Sequence, residues 1–297
     1  MRIGYPCINR TIGCTANSTF RLRSYSRERL IETVANNLAC LEKILAYNLE
    51  NDLLFFRISS DLVPFGSHPV NTFDWPGHFA ADFRRIGVFI KRHRMRISMH
   101  PDQFVVLNSM NPAVLSKSIE DLRYHCRVLD ALGLGRDAKV QLHAGGVYGD
   151  RESAIARLVA TIKGLSHDMR KRLVIENDNR CYPLRDCLAI HRQTGVPILF
   201  DFFHHACLHC GEPMEEALAA AARTWKPRDG APMVDYSQQQ KGARTGTHTQ
   251  SLSARGFAQV VRLCERYNCD VMLEIKDKES SALRGWAIMR RELGNPK

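Results

Sequence analysis

No run of the chain is apolar enough to span a bilayer. Apolar stretches such as Leu53 to Phe56 are strand-sized, against the roughly 18 residues a spanning helix needs. No apolar segment follows the basic residue of the opening MRIGYPCINR, so a secretory leader is not expected. No Gly/Ser linker, low-complexity tract or internal repeat divides the chain. A single domain over residues 1–297 is therefore expected, with no membrane association. Nothing in the sequence calls for an obligate protein partner.

Cysteine is plentiful, with ten residues in 297. Without a secretory signal, reduced thiols in a cytoplasmic protein are the expectation. Cys207 and Cys210 have Cys-x-x-Cys spacing, but no second such pair completes a structural zinc site. The hydrophobic fraction of 44% and the charged fraction of 25% are those of an ordinary globular protein. Lys and Arg number 42 against 31 Asp and Glu, a net charge of +11. That balance favours a polyanion such as nucleic acid as partner.

Short apolar runs alternate with amphipathic stretches eight times. The strand-like runs are Arg2–Tyr5, Leu53–Ile58, Met95–Met99, Lys139–Leu142, Leu173–Ile175, Ile198–Phe200, Pro232–Tyr236 and Asp270–Ile275. Helices are expected from Ser26 to near Asn51, from Pro112 behind an Asn111 cap to near Gly133, and over Arg151–Asp168, Leu184–Thr194, Pro213–Trp225, Ser253–Tyr267 and Lys278–Leu293. Eight strand–helix rounds in one chain predict a (β/α)8 barrel, with a doubly wound sheet as the rival.

The residues at or just past the strand ends are Tyr5, Arg57, His100, His143, Glu176, Asp201, Asp235 and Glu274; six of these eight are His, Asp or Glu. In a barrel they converge on the C-terminal face, where active sites of this fold lie. Burying so many carboxylates is costly unless cations compensate. Asp201 and His204, in a short loop Asp-Phe-Phe-His-His, and His248, in Gly-Thr-His-Thr, fit the same cluster. Mixed imidazole and carboxylate donors suit zinc or manganese, with cobalt or magnesium as further candidates. Glu176, central in the set, is placed to bridge two ions, and closely spaced ions are the usual apparatus of phosphodiester cleavage. Lys276 and Lys278 beside Glu274 are candidates to neutralise phosphate charge, and Arg57 near the barrel mouth is a candidate DNA contact. His205 and His209 read as hydrogen-bonding loop histidines. Gln103 and Phe104, directly after His100 and Pro101–Asp102, form a candidate wedge that stacks on and hydrogen-bonds to bases. A core role for Phe104 is the alternative.

At these residues the sequence resembles the ultraviolet damage endonuclease family. The matching stretches include Gly4-Tyr5-Pro6-Cys7, Phe56-Arg57-Ile58-Ser59-Ser60, Ser98-Met99-His100-Pro101-Asp102-Gln103-Phe104, His143-Ala144-Gly145-Gly146, Ile175-Glu176-Asn177-Asp178, Asp201-Phe202-Phe203-His204-His205, Asp235-Tyr236-Ser237 and Leu273-Glu274-Ile275-Lys276. They run in order from residue 4 to about 280. The resemblance implies a TIM-like barrel related to endonuclease IV, holding two or three divalent ions. It implies nicking of ultraviolet-damaged double-stranded DNA immediately 5′ to a cyclobutane dimer or (6-4) photoproduct, leaving 3′-hydroxyl and 5′-phosphate. By matched position it implies His100, His143, Glu176, Asp201, His204, Asp235, His248 and Glu274 as ligands and His68 as a neighbour of the site. It also implies Tyr5 and Asn9 as residues that hold the everted lesion. Phe104 stands where some relatives carry Tyr, Asp235 where some have His and Met233 where some have Lys. An apurinic-site endonuclease of the endonuclease IV kind, a metal-dependent sugar isomerase on the same barrel, and a DNA-binding protein with a relic metal site are the competing readings.

Overall fold

In a computed structural model, which describes residues 1–294, eight parallel strands close into one barrel in sequence order. They are β1 Ile3–Pro6, β2 Phe55–Ile58, β3 Arg96–Met99, β4 Lys139–His143, β5 Leu173–Glu176, β6 Ile198–Asp201, β7 Met233–Tyr236 and β8 Asp270–Leu273. Each overlaps one of the expected runs. The expected domain also takes in residues 295–297, which lie outside the described residues.

Helices cover the barrel: α1 Arg27–Glu50, α2 Trp75–His78, α3 Ala80–Arg92, α4 Pro112–Ala131, α5 Arg151–Gly164, α6 His167–Arg170, α7 Leu184–Thr194, α8 Phe202–Cys207, α9 Met214–Ala222, α10 Ala254–Arg266 and α11 Glu279–Leu293. Their starts follow local chemistry. Ser26 caps α1 by accepting from the Arg29 amide, and Asn111 caps α4 ahead of Pro112. None of the described helices is long and apolar enough to cross a membrane.

Four departures from the expectations have local causes. The chain between β2 and β3, where the sequence marked out no helix bounds, forms α2 and α3; Asp74 caps α2, and Gly87 of α3 sits where a Cβ would lie 1.8 Å from the Leu132 carbonyl oxygen. The expected Arg151–Asp168 helix breaks at Leu165 because Ser166 caps a new turn, α6. The loop expected at Asp201–His205 is the helical turn α8, capped by the Asp201 carboxylate, which accepts from the His204 amide. Finally, not all cysteines are free thiols: the loop before α1 folds over that helix and pairs Cys14 with Cys40 in a disulfide, Cα atoms 5.9 Å apart.

The alternation of strand side chains stacks the barrel interior in layers. Arg96, Lys139 and Asp270 open their strands at the N-terminal end. Phe55, Val174, Leu199, Met233 and Met272 form an apolar plug above them, closed from below by Trp225. One step further along, the same strands deliver Arg57, Glu176, Asp201, Asp235 and Glu274. Gly4 keeps β1 close to β2, because a Cβ there would lie 1.9 Å from the Phe55 carbonyl oxygen.

Candidate metal centre

The layer above the plug brings the acidic strand ends and their imidazoles together. Three groups have ligand atoms within 4.8 Å of one another: His100, His143 and Glu176; Glu176, Asp201 and His204; and Asp201, Asp235 and Glu274. Strand register sets them side by side, with His143 opposite Glu176 and Asp201 opposite Asp235. Glu176 is the shared corner. Its Oε2 lies 3.6 Å from His100 Nε2 and 3.9 Å from His143 Nε2, and its Oε1 lies 3.1 Å from His204 Nδ1. The His204 ring nitrogen is also 3.6 Å from Asp201 Oδ2. His248 Nδ1 donates to the Glu274 carbonyl oxygen at 2.8 Å, the outer contact that leaves a histidine's Nε2 free as a ligand.

The electrostatics are those of a carboxylate cluster short of positive charge. Burial pushes the Asp201 carboxyl up to about 6 and lifts Asp235 well above the usual range, against the pull of Arg57. Burial opposes ionisation of Glu176 too, yet His143, His204 and His100 hold it at about 2. Burial would depress the His204 imidazole, but Asp201 and Glu176 carry it up to about 11. Burial takes His100 down to about 4. Glu176 Oε1, Asp201 Oδ2, and the Nδ1 atoms of His100 and His143 are buried without a hydrogen-bond partner among the described residues. Orphaned donor atoms of this kind, aimed into one cluster of imidazoles and carboxylates, fit divalent ions.

Above the cluster lies an open cleft of about 650 Å³, lined by Cys7, His100, Gln103, Phe104, His248 and Lys278 among others. A second hollow of about 500 Å³ adjoins it, between Gln103, Tyr148 and Arg180. Phe104 is 77% exposed on the cleft rim, so it packs in no core. Lys276 and Lys278 line the same cleft.

Several expected site residues sit elsewhere. Tyr5 and Asn9 are buried: the Tyr5 hydroxyl donates to Asn48 Oδ1 at 2.7 Å and accepts from Asn9 Nδ2 at 2.9 Å. Their polar atoms hold the first loop, and neither residue lines the cleft. Arg57 lines the cleft floor but is 3% exposed, with its guanidinium turned onto Asp235, Glu274 and Gln141. His68 lies outside all three groups, exposed in the loop after β2, where its Nδ1 accepts from the Val70 amide at 3.1 Å. Cys207 and Cys210 belong to none of the groups found among the described residues. His205 is buried against Phe200 and His209.

Two residues of the site escaped the sequence. Gln141 donates from Nε2 to Glu176 Oε2 at 2.9 Å and to Asp235 Oδ2 at 2.8 Å. Its signal was the period of two, since it points inward two residues before His143. Asn177 accepts from the Asp201 amide at 2.9 Å and its carbonyl lies 3.0 Å from His204 Nδ1, so it fixes both ligands. It carries no charge, and nothing in its spacing sets it apart from its neighbour Glu176.

A closed parallel barrel with a buried imidazole–carboxylate cluster at the carboxyl ends of its strands is the framework of a metal-type hydrolase or isomerase. The family model of UV-endonuclease UvdE matches residues 1–295, and the chain belongs to that family. It is therefore a nuclease of DNA repair. The UV DNA damage endonuclease of Clostridium perfringens (strain 13 / Type A) is 38% identical over 96% of this chain and 69% of its own length. The protein of the same name from Bacillus cereus (strain B4264) is 33% identical over 91% and 89%. A crystal structure titled SacUVDE superposes with a TM-score of 0.94 at 40% identity, covering 98% of both chains. Endonuclease IV from Thermus thermophilus shares the fold alone, with a TM-score of 0.63 at 15% identity over 99% of each chain.

Proposed function

We propose that this enzyme is a metal-dependent endonuclease that nicks duplex DNA immediately 5′ to a cyclobutane dimer or (6-4) photoproduct, leaving 3′-hydroxyl and 5′-phosphate ends. The observation that carries the reading is the surplus of buried carboxylates, with orphaned ligand atoms, beneath a cleft rimmed by an exposed aromatic residue. His100, His143, Glu176, Asp201 and His204 would hold divalent ions, manganese or zinc by donor type, with His248 and Glu274 beside them. Such ions supply Lewis-acid charge at the phosphate and lower the pKa of bound water.

The chain's own groups do the rest. Glu176 is the shared donor of two groups and fixes their spacing. Lys276 and Lys278 offset phosphate charge at the cleft wall. Water oxygen attacks phosphorus and gives up a proton, the P–O3′ bond breaks, and the leaving oxygen takes up a proton to become the 3′-hydroxyl, so that one water is consumed overall. Gln103 and Phe104 enter the base stack beside the lesion; aromatic stacking contributes roughly 1–3 kcal/mol per base, comparable to opening an already distorted step. DNA as substrate suits the +11 charge and the cytoplasmic location expected of the chain.

The test is conversion of supercoiled plasmid to nicked circles, with and without ultraviolet irradiation and chelator. A duplex carrying one defined photoproduct then maps the cut. Nicking that needs both irradiation and metal, at the 5′ neighbour of the lesion, supports the reading. Equal nicking of unirradiated plasmid, or full activity in chelator, overturns it. Cleavage confined to an abasic duplex would favour the endonuclease IV alternative.

A further inference from the structure

The third carboxylate group already contains a cation. Arg57 Nη2 lies 2.8 Å from Asp235 Oδ1 and 2.6 Å from Asp235 Oδ2, and Nη1 pairs with Glu274 Oε1. Gln141 holds the same guanidinium, accepting from Nη2 at 2.8 Å, and donates to Asp235 Oδ2 at 2.8 Å. Both oxygens of Asp235 are thus engaged by side-chain donors, and one of the two oxygens of Glu274 is. Arg57 reaches this point because β2 turns every second residue inward, Phe55 into the plug and Arg57 into the layer above. The other two groups differ. Glu176 Oε1 has no hydrogen-bond partner, nor has Oδ2 of Asp201, the corner shared with the third group, and among the described residues no Arg or Lys is paired with either carboxylate.

From this contrast we infer that the Arg57 guanidinium stands in for an ion in the Asp201–Asp235–Glu274 group, so that the protein holds two divalent ions and not three. A guanidinium is permanently charged and presents its donors in a fixed fork, so it can neutralise two carboxylates without ever dissociating. A divalent ion beside it would meet like charge at close range and a carboxylate with no free oxygen. Asp235 is then a positioning residue that acts through Arg57 and Gln141, and Gln141 ties that pair to Glu176. The inference rests on the metal-dependent reading above, because it presumes that the first two groups hold ions.

Metal content is the readout. Protein stripped with chelator, returned to excess Mn²⁺ and gel-filtered is analysed for bound metal per chain, with circular dichroism as the folding control. Two equivalents are expected for the parent and for Asp235→Asn, which keeps the shape while removing the charge. A third equivalent is expected for Arg57→Gln, whose shorter neutral side chain leaves the carboxylates uncompensated. Three equivalents in the parent, or loss of one in Asp235→Asn, overturns the inference while leaving metal dependence intact. A folded Arg57→Gln chain that stops at two equivalents also overturns it. Should Arg57→Gln not fold, the parent and Asp235→Asn counts decide alone. No bound metal in the parent contradicts the metal-dependent reading itself.

Discussion

The two ends of this barrel are built from the same strands and solve opposite problems. At the N-terminal end each buried carboxylate has two cationic partners, and only Arg96 Nε among the atoms of these pairs is buried without a hydrogen bond. Asp270 pairs with Arg2 at 3.0 Å and Arg96 at 3.3 Å, while Asp229 pairs with Lys139 at 2.7 Å and Arg136 at 2.9 Å. The Lys139 ammonium also donates to the Lys171 carbonyl at 2.8 Å, and the Trp225 ring lies under both Arg96 and Lys139. At the C-terminal end the four carboxylates Glu176, Asp201, Asp235 and Glu274 have one arginine among them, paired with Asp235 and Glu274, and polar atoms are left without partners. Buried charge is tolerated in a folded protein when it is paired and hydrogen-bonded. The first end therefore reads as structure, and the second as a site completed by something the chain does not itself contain.

That contrast is most exposed to failure at Glu176. Glu176→Gln keeps the side-chain shape and removes the charge common to two ligand groups. Nicking of irradiated plasmid should fall by about 10²–10³-fold or more, the scale seen when one preorganised electrostatic group is removed from an active site, with the circular dichroism spectrum unchanged. Parental nicking at full metal occupancy would show that the C-terminal cluster is no catalytic centre.

A smaller loss is expected at the cleft rim. Gln103→Ala together with Phe104→Ala should retain fold and bound metal yet lose roughly 10–100-fold in nicking of photoproduct duplex, from stacking worth about 1–3 kcal/mol per base. The loss should be smaller on a lesion placed opposite an unpaired strand, where the stack is already open. Because Phe104 projects into solvent, unfolding of the double variant is not expected, and its occurrence would count against the wedge.

The N-terminal end should answer in stability alone. Lys139→Met removes one partner of a buried pair and should cost about 3 kcal/mol in urea unfolding at neutral pH, with the nicking rate of the folded protein unchanged. Its pH dependence has a definite sign. Burial lowers the Lys139 ammonium to about 8, against the pull of Asp229, whereas the unfolded side chain titrates near its ordinary value of about 10.4. Between those values the unfolded chain binds more protons, so the folded state gains stability as pH rises. The stability difference between parent and variant should widen from pH 8 toward pH 10. A narrowing gap would mean that Lys139 is stabilised as a charged group.

The uneven legibility of the sequence follows the same division between local and tertiary causes. Strands were readable because short apolar runs rich in β-branched and aromatic residues recur between capped helices, and the strand-end carboxylates and histidines followed from that count. Chain segments governed by a single cap were partly readable: Ser26 and Asn111 announced α1 and α4. The region of α3 was not, because Phe-Arg-Arg-Ile-Gly-Val-Phe carries β-branched residues and a glycine that local propensity counts against a helix, and only packing on Leu132 explains them. Arg57 looked like a DNA contact because its position at a strand end was visible, while the carboxylates that capture it come from β7 and β8, far away in sequence. The inward placement of Tyr5 and Asn9 was hidden for the same reason: Asn48, near the end of α1, accepts the tyrosine hydroxyl's hydrogen bond from far along the chain. The Cys14–Cys40 pair depends on how the first loop lies on α1, which no spacing discloses.

The most direct test of the contrast between the two ends is the melting temperature of the metal-stripped protein as Mn²⁺ is returned, measured in parallel on the parent, Lys139→Met and Glu176→Gln. An ion that binds only the folded state stabilises it by RT ln(1 + [L]/Kd), about 2.7 kcal/mol at a hundredfold excess over Kd. The parent and Lys139→Met should rise by the same increment from different starting points, and Glu176→Gln should rise little or not at all. Equal rises in all three proteins, or none in the parent, would contradict a metal centre built on Glu176 at the carboxyl ends of the strands.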